Sequence, residues 1–122
     1  MWQNVFLVGL GSLLGGVSRY LLTEGVKLFF QGSFPFGTFL INMTGCFLIG
    51  LLSGLFAHQG SSAYRFLLAV GFCGSFTTFS TFSMENFQLL TTKAYLIFFL
   101  NIGLSVILGI LFAGLGYVLT SK

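Results

Sequence analysis

Apolar residues fall in four long blocks, about Asn4 to Leu22, Phe36 to Ala57, Tyr64 to Leu90 and Ala94 to Leu119. Each is long enough for a bilayer, whose hydrocarbon core needs about 20 helical residues. The connections between them, Thr23–Pro35, His58–Ala63 and Thr91–Lys93, are short. The pattern predicts an all-α membrane protein with a single four-helix transmembrane domain over residues 1–122, leaving no segment for a soluble domain.

The third block is unlike the others. Between Gly71 and Glu85 it carries two glycines, six Ser/Thr hydroxyls and four phenylalanines. Gly71 and Gly74 weaken a helix there, and the β-branched pair Thr77–Thr78 does little to restore it. A break near Gly74–Thr78 is therefore expected. At bilayer depth a break survives only where the freed backbone groups face protein, water or an ion, and such breaks mark ion and substrate sites. Phe76, Phe79 and Phe82 step by three along one slowly drifting stripe, with Ser80, Thr81 and Ser83 on neighbouring faces.

The remaining blocks hold few polar residues, and their spacing is informative. In the second, Thr38, Asn42 and Gly45 share one face at i, i+4 and i+7, behind Pro35 at the helix entrance. An amide such as Asn42 inside an apolar helix bridges to a neighbouring helix or lines a wet path. Asn101 and Ser105 in the fourth block repeat the i, i+4 spacing and read as glue between helices. The pairs Gly11/Gly15, Gly50/Gly54 and Gly109/Ala113 are four apart, a spacing that lets helices approach closely. Arg19 reads either as an interfacial arginine that snorkels or as a positive charge at the mouth of an anion pathway. Glu24 and Lys27 are placed in the first connection. Glu85 is the only acid within an apolar block, towards its end.

Composition narrows the class. Of 122 residues 56% are hydrophobic and 6% charged, whereas soluble domains carry roughly 25% charged residues. Residues 1–22 lack a basic leader and a small-residue cleavage motif, so the first block is expected to be retained as a span. The net charge of +3 is too thinly spread for a nucleic-acid footprint. Cys46 and Cys73 lie in apolar blocks and read as small buried hydrophobes, and the single histidine, His58, leaves no set of metal-binding side chains. No residue suggests covalent or acid–base catalysis. Four spans place Arg65 and Lys122 on one side of the membrane, and Lys27, Lys93 and Arg19 near the other, so loop charge gives almost no orientation. A chain without preference can insert both ways, and two opposed copies can pair about an axis in the membrane plane.

Taken together, the Gly15-Gly16 to Arg19-Tyr20 motif, Gly37-Thr38 followed by Asn42 and Gly45, and the run Thr77-Thr78-Phe79-Ser80-Thr81-Phe82 after Gly74 resemble the Fluc, or CrcB, family of fluoride channels. The resemblance covers the whole chain. Ser75 stands where many members carry a second glycine. The resemblance implies an antiparallel, dual-topology homodimer in the bacterial cytoplasmic membrane, with two pores and passive export of fluoride. It implies a structural sodium ion (Na+) on the dimer axis, held by the backbone carbonyls of Gly74 and Thr77. It further implies Asn42, Phe79 and Phe82 as pore residues, a hydroxyl track of Ser80 and Thr81, and Arg19 at a vestibule. A rival class, the small four-helix proton-coupled drug exporter, needs a carboxylate typically placed in the first helix, which has none here. A second rival, a non-transporting assembly subunit, has no need of Asn42, the hydroxyls and the break together.

Overall fold

Helices begin and end where the local chemistry allows. The computed structural model describes every residue except Ser61, which belongs to the second expected connection. Its helices are α1 (Trp2–Phe29), α2 (Phe36–Phe56), α3 (Arg65–Cys73 continued by Gly74–Phe76), α4 (Phe79–Thr91) and α5 (Tyr95–Thr120). Pro35 lacks an N–H to lose, and its carbonyl accepts the first bond of α2 from Phe39 at 3.1 Å. Ser62 performs the same service for α3, its hydroxyl accepting from the Tyr64 N–H at 3.2 Å. Between α4 and α5 the chain turns through Lys93, whose φ of 61° is left-handed. The Ala94 N–H reaches back to the Leu89 carbonyl and the Lys93 N–H to that of Leu90, which satisfies two orphan carbonyls in a tight helix stop.

α3 and α4 together form the third of four crossings, Arg65–Thr91. Two features depart from expectation. Residues 23–29 were placed in a connection, yet they continue α1. The Thr23 hydroxyl bonds back to the Arg19 carbonyl at 2.7 Å, and Lys27 pairs with Glu24 three residues earlier at 2.8 Å, so this stretch is exposed helix, not loop. A cluster of rings (Phe30–Phe36 at 4.8 Å, Phe34–Phe36 at 4.7 Å) then closes the connection to α2. The second departure is the opening of α3, where Arg65–Cys73 is wound as a π-helix with i→i+5 bonding.

The bundle is assembled as two close pairs, α1 on α3 and α2 on α5, with α4 leaning on α5. Lipid tails are as apolar as leucine, so helices associate in a membrane by close packing and not by hydrophobic exclusion. Glycine supplies the closeness. A Cβ on Gly11 would overlap the Leu67 carbonyl of α3, and one on Gly15 that of Phe72. In the other pair, Gly50 lies against the Ala113 carbonyl and Gly54 against Thr120, while Gly116 returns the contact at Phe47 and Leu51. The three small-residue faces read from sequence are thus the two helix seams. Gly50→Val is expected to lower stability by about 1–3 kcal/mol through overpacking against backbone that cannot move aside. Unfolding followed in detergent with increasing denaturant measures the loss; an unchanged midpoint would show a looser α2–α5 seam.

Candidate functional site

The break is made by threonines. Gly74 keeps helical dihedrals (φ −61°, ψ −33°), and the chain leaves the helix only at Thr77 (φ −78°, ψ 156°) and Thr78 (φ −146°, ψ 120°). The expected location holds, but glycine flexibility is not what opens it. Gly71 instead gives close contact, since a Cβ there would lie 2.7 Å from the Val8 carbonyl of α1.

Several of the freed backbone groups meet specific partners. The Asn42 side chain faces Thr78 as a second peptide group would: its Oδ1 accepts from the Thr78 N–H at 2.9 Å, and its Nδ2 donates to the Thr78 carbonyl at 3.1 Å. Thr78 caps α4, its hydroxyl accepting from the Thr81 N–H at 3.3 Å. The Arg19 Nε donates to the Ser75 carbonyl at 3.1 Å, placing a cation at the C-terminal end of α3, where the helix dipole favours it. Arg19 is therefore tied through its Nε to the backbone just before the break. In an unbroken helix the Thr78 N–H would bond the Gly74 carbonyl and the Thr81 N–H the Thr77 carbonyl. Both donors are engaged elsewhere, which leaves the Gly74 and Thr77 carbonyls open.

The face of α2 predicted from spacing meets the broken span at three successive levels. Thr38 donates to Glu85 Oε1 at 2.7 Å, Asn42 grips Thr78, and Gly45 leaves room for the Thr77 methyl, which a Cβ would overlap. Beside this contact lies a cavity of about 290 Å³, lined chiefly by Asn42, Thr77, Phe79, Phe82 and Ser105, with Cys46 behind. The phenylalanine stripe does not run through unbroken. Phe76 is buried and stacks on Phe72 at 5.5 Å, whereas Phe79 and Phe82, beyond the break, pair at 5.9 Å on the cavity wall. Ser80 and Thr81 do not line the cavity; their hydroxyls gather around that of Thr78 at 3.4 and 3.2 Å. Gly74 lies outside it too, on an exposed surface where a Cβ would touch nothing.

One element escaped sequence reasoning. Asn86, buried in α4, donates to the Phe82 carbonyl at 2.9 Å and accepts from Asn101 of α5 at 3.1 Å, and Asn101 accepts from Ser105 at 3.3 Å. The Asn101–Ser105 glue was legible, but its partner was not. The signal for Asn86 was the same as for Asn42, an amide in an apolar block, masked by Glu85 beside it.

Four membrane crossings, the third interrupted at Thr77–Thr78 beside a lined cavity, define an integral membrane protein with a broken-helix site. A sequence profile described as "CrcB-like protein, Camphor Resistance (CrcB)" matches residues 6–117, and the chain belongs to this CrcB family. Among curated relatives it is 43% identical over 122 residues to "Fluoride-specific ion channel FluC" of Flavobacterium psychrophilum, covering 98% of each chain. It is 45% identical over 117 residues to the protein of the same name from Phocaeicola vulgatus, covering 93% of this chain and 95% of the relative. To "Fluoride-specific ion channel FluC 2" of Bacillus cereus it is 42% identical over 114 residues, covering 93% and 94%.

Proposed function

We propose that this protein is a fluoride-selective channel that lets the ion leave the cell passively, and that it works as an antiparallel dimer with two pores. The observation that carries the reading is the cavity at the break, where an amide, hydroxyls and two phenylalanine rings converge in a chain whose relatives are named fluoride channels. Fluoride is small and strongly hydrated, so a pore must replace its water with close donors. Asn42 uses one amide hydrogen on Thr78 and keeps the other for the cavity, and just outside it the hydroxyls of Ser80 and Thr81 gather on that of Thr78. Phenylalanine has no donor, but the edge of its ring carries the positive side of the quadrupole.

The dimer is supported by what a single chain leaves open. Phe79 is 78% exposed, and the bare backbone at Gly74 has no neighbour. A second copy across this face would enclose both. The open carbonyls of Gly74 and Thr77 suit a monovalent cation shared between two chains, and a sodium ion there would supply fixed positive charge at bilayer depth.

Fluoride efflux from proteoliposomes, with chloride and a cationic dye as controls, tests the function; dye export driven by a proton gradient would favour the exporter class instead. Phe79→Ile and Phe82→Ile are expected to cut fluoride flux at least tenfold (about 1.4 kcal/mol in the barrier) while the dimer still elutes intact. Wild-type flux in either folded variant would take that ring out of the path.

A further inference from the structure

We infer that the α5 wall of the cavity is a subsite for a hydrogen-bond donor, namely a water molecule, and that Asn86 and Asn101 make it so. The inference rests on the cavity being the anion path. The hydrogen bonds from Ser105 through Asn101 and Asn86 end on the Phe82 carbonyl, and a carbonyl only accepts. That terminus fixes the sense of every link. Asn86 must turn its Nδ2 to Phe82, which leaves Oδ1 for Asn101. Asn101 must then donate through Nδ2, which leaves its Oδ1 for Ser105. The one hydrogen of the Ser105 hydroxyl is thereby committed inward, away from the cavity that Ser105 helps to line.

A hydroxyl without a free hydrogen offers only lone pairs. Toward a bare anion that is repulsive, and toward a water hydrogen it is attractive. A water held there keeps its second hydrogen for the anion, so the α5 wall passes a hydrated face while Asn42 on α2 and the Phe79 and Phe82 rings on α4 strip the other. The two amides are well suited to hold this polarity. Asn101 is 1% exposed and Asn86 5%, so neither can trade its partner for solvent.

The half-saturating anion concentration for flux reads the donor supply of the wall, and loss of packing alone would not move it in the expected direction. Ser105→Ala removes the anchor of the water but no direct donor to the anion, so half-saturation should rise by no more than about threefold; a rise of about tenfold or more, the ordinary worth of one direct hydrogen bond to a charged partner, would overturn the inference. The double variant Asn86→Leu with Asn101→Leu removes both amide partners together, which leaves little buried polarity unpaired. It frees the Ser105 hydrogen, and half-saturation should fall about tenfold. Adding Ser105→Ala should reverse that fall. No fall in a folded double variant, or a fall that Ser105→Ala leaves in place, would overturn it, and the single variant decides the matter if the double one misfolds. The comparison is made with whichever halide the wild-type protein carries. Absence of fluoride flux in the wild type would therefore refute the channel reading and not the subsite.

Discussion

Asn42→Leu is expected to abolish fluoride flux and to lower stability by about 2–6 kcal/mol, with the loss confined to the contact between α2 and the break. Leucine matches the volume but offers Thr78 neither acceptor nor donor, so the N–H and the C=O that Asn42 now satisfies are both left bare. Each unsatisfied buried group costs about 1–3 kcal/mol. Asn42→Asp probes the same contact with a charge. Its carboxylate still accepts from the Thr78 N–H, but its second oxygen opposes the Thr78 carbonyl to which Nδ2 now donates, so stability should fall about as far as in the leucine variant. Flux should fall as far, because a negative charge stands in the anion path where little solvent screens it. Denaturant unfolding and liposome efflux measured on both variants check this. Unchanged stability in both would mean that Asn42 serves the cavity and not the backbone.

Replacing sodium by a large organic cation should stop fluoride flux altogether, whereas a sodium gradient alone should move no fluoride uphill. The donor set at Gly74 and Thr77 consists of neutral carbonyl oxygens, which suits a monovalent ion better than magnesium, since magnesium demands a rigid octahedron and dehydrates reluctantly. Taking the cation away leaves carbonyls unpaired at bilayer depth, at several kcal/mol each. The dimer is then expected to loosen or to stop conducting. Flux that persists without sodium would remove the ion from the proposal, and uphill fluoride movement on a sodium gradient would make the protein a coupled transporter.

Much of this was legible because membrane helices carry so few polar residues that each one has a purpose. The spacing of Thr38, Asn42 and Gly45 predicted one face, and that face meets the broken span at Glu85, Thr78 and Thr77. The small-residue pairs predicted the seams for the same reason: only glycine lets backbones come so near. What stayed hidden depends on which partner a group finds across the bundle. Arg19 gave no sign in sequence that it would bond Ser75, fifty-six residues away. The break was expected from Gly71 and Gly74, with Thr77–Thr78 doing little to restore the helix, yet Gly74 stays helical, because flexibility permits a helix to end but does not compel it. Thr77 and Thr78 leave the helix where the Asn42 amide stands in place both to accept from and to donate to Thr78. The π-wound opening of α3 also had no signature, since Arg65–Cys73 reads as an ordinary apolar helix.

The length of α1 separates two boundaries that are usually treated as one. Its 28 residues span about 42 Å at 1.5 Å each, against a hydrocarbon core of about 30 Å. Tilting cannot absorb a mismatch of that size, since it would require an inclination beyond the range of about 40° found in membrane helices. With Trp2 at one interface, the apolar block that closes near Leu22 marks where the lipid ends, and the helix itself continues to Phe29. Residues 23–29 then stand as a post about 10 Å tall in the headgroup layer, carrying the Glu24–Lys27 pair and resting Thr23 against Gly37 at the root of α2. A thicker bilayer rising along this post would draw the Glu24–Lys27 pair into hydrocarbon, at about 3 kcal/mol for each charge. The post thus sets an upper limit on how far the membrane can thicken around the break.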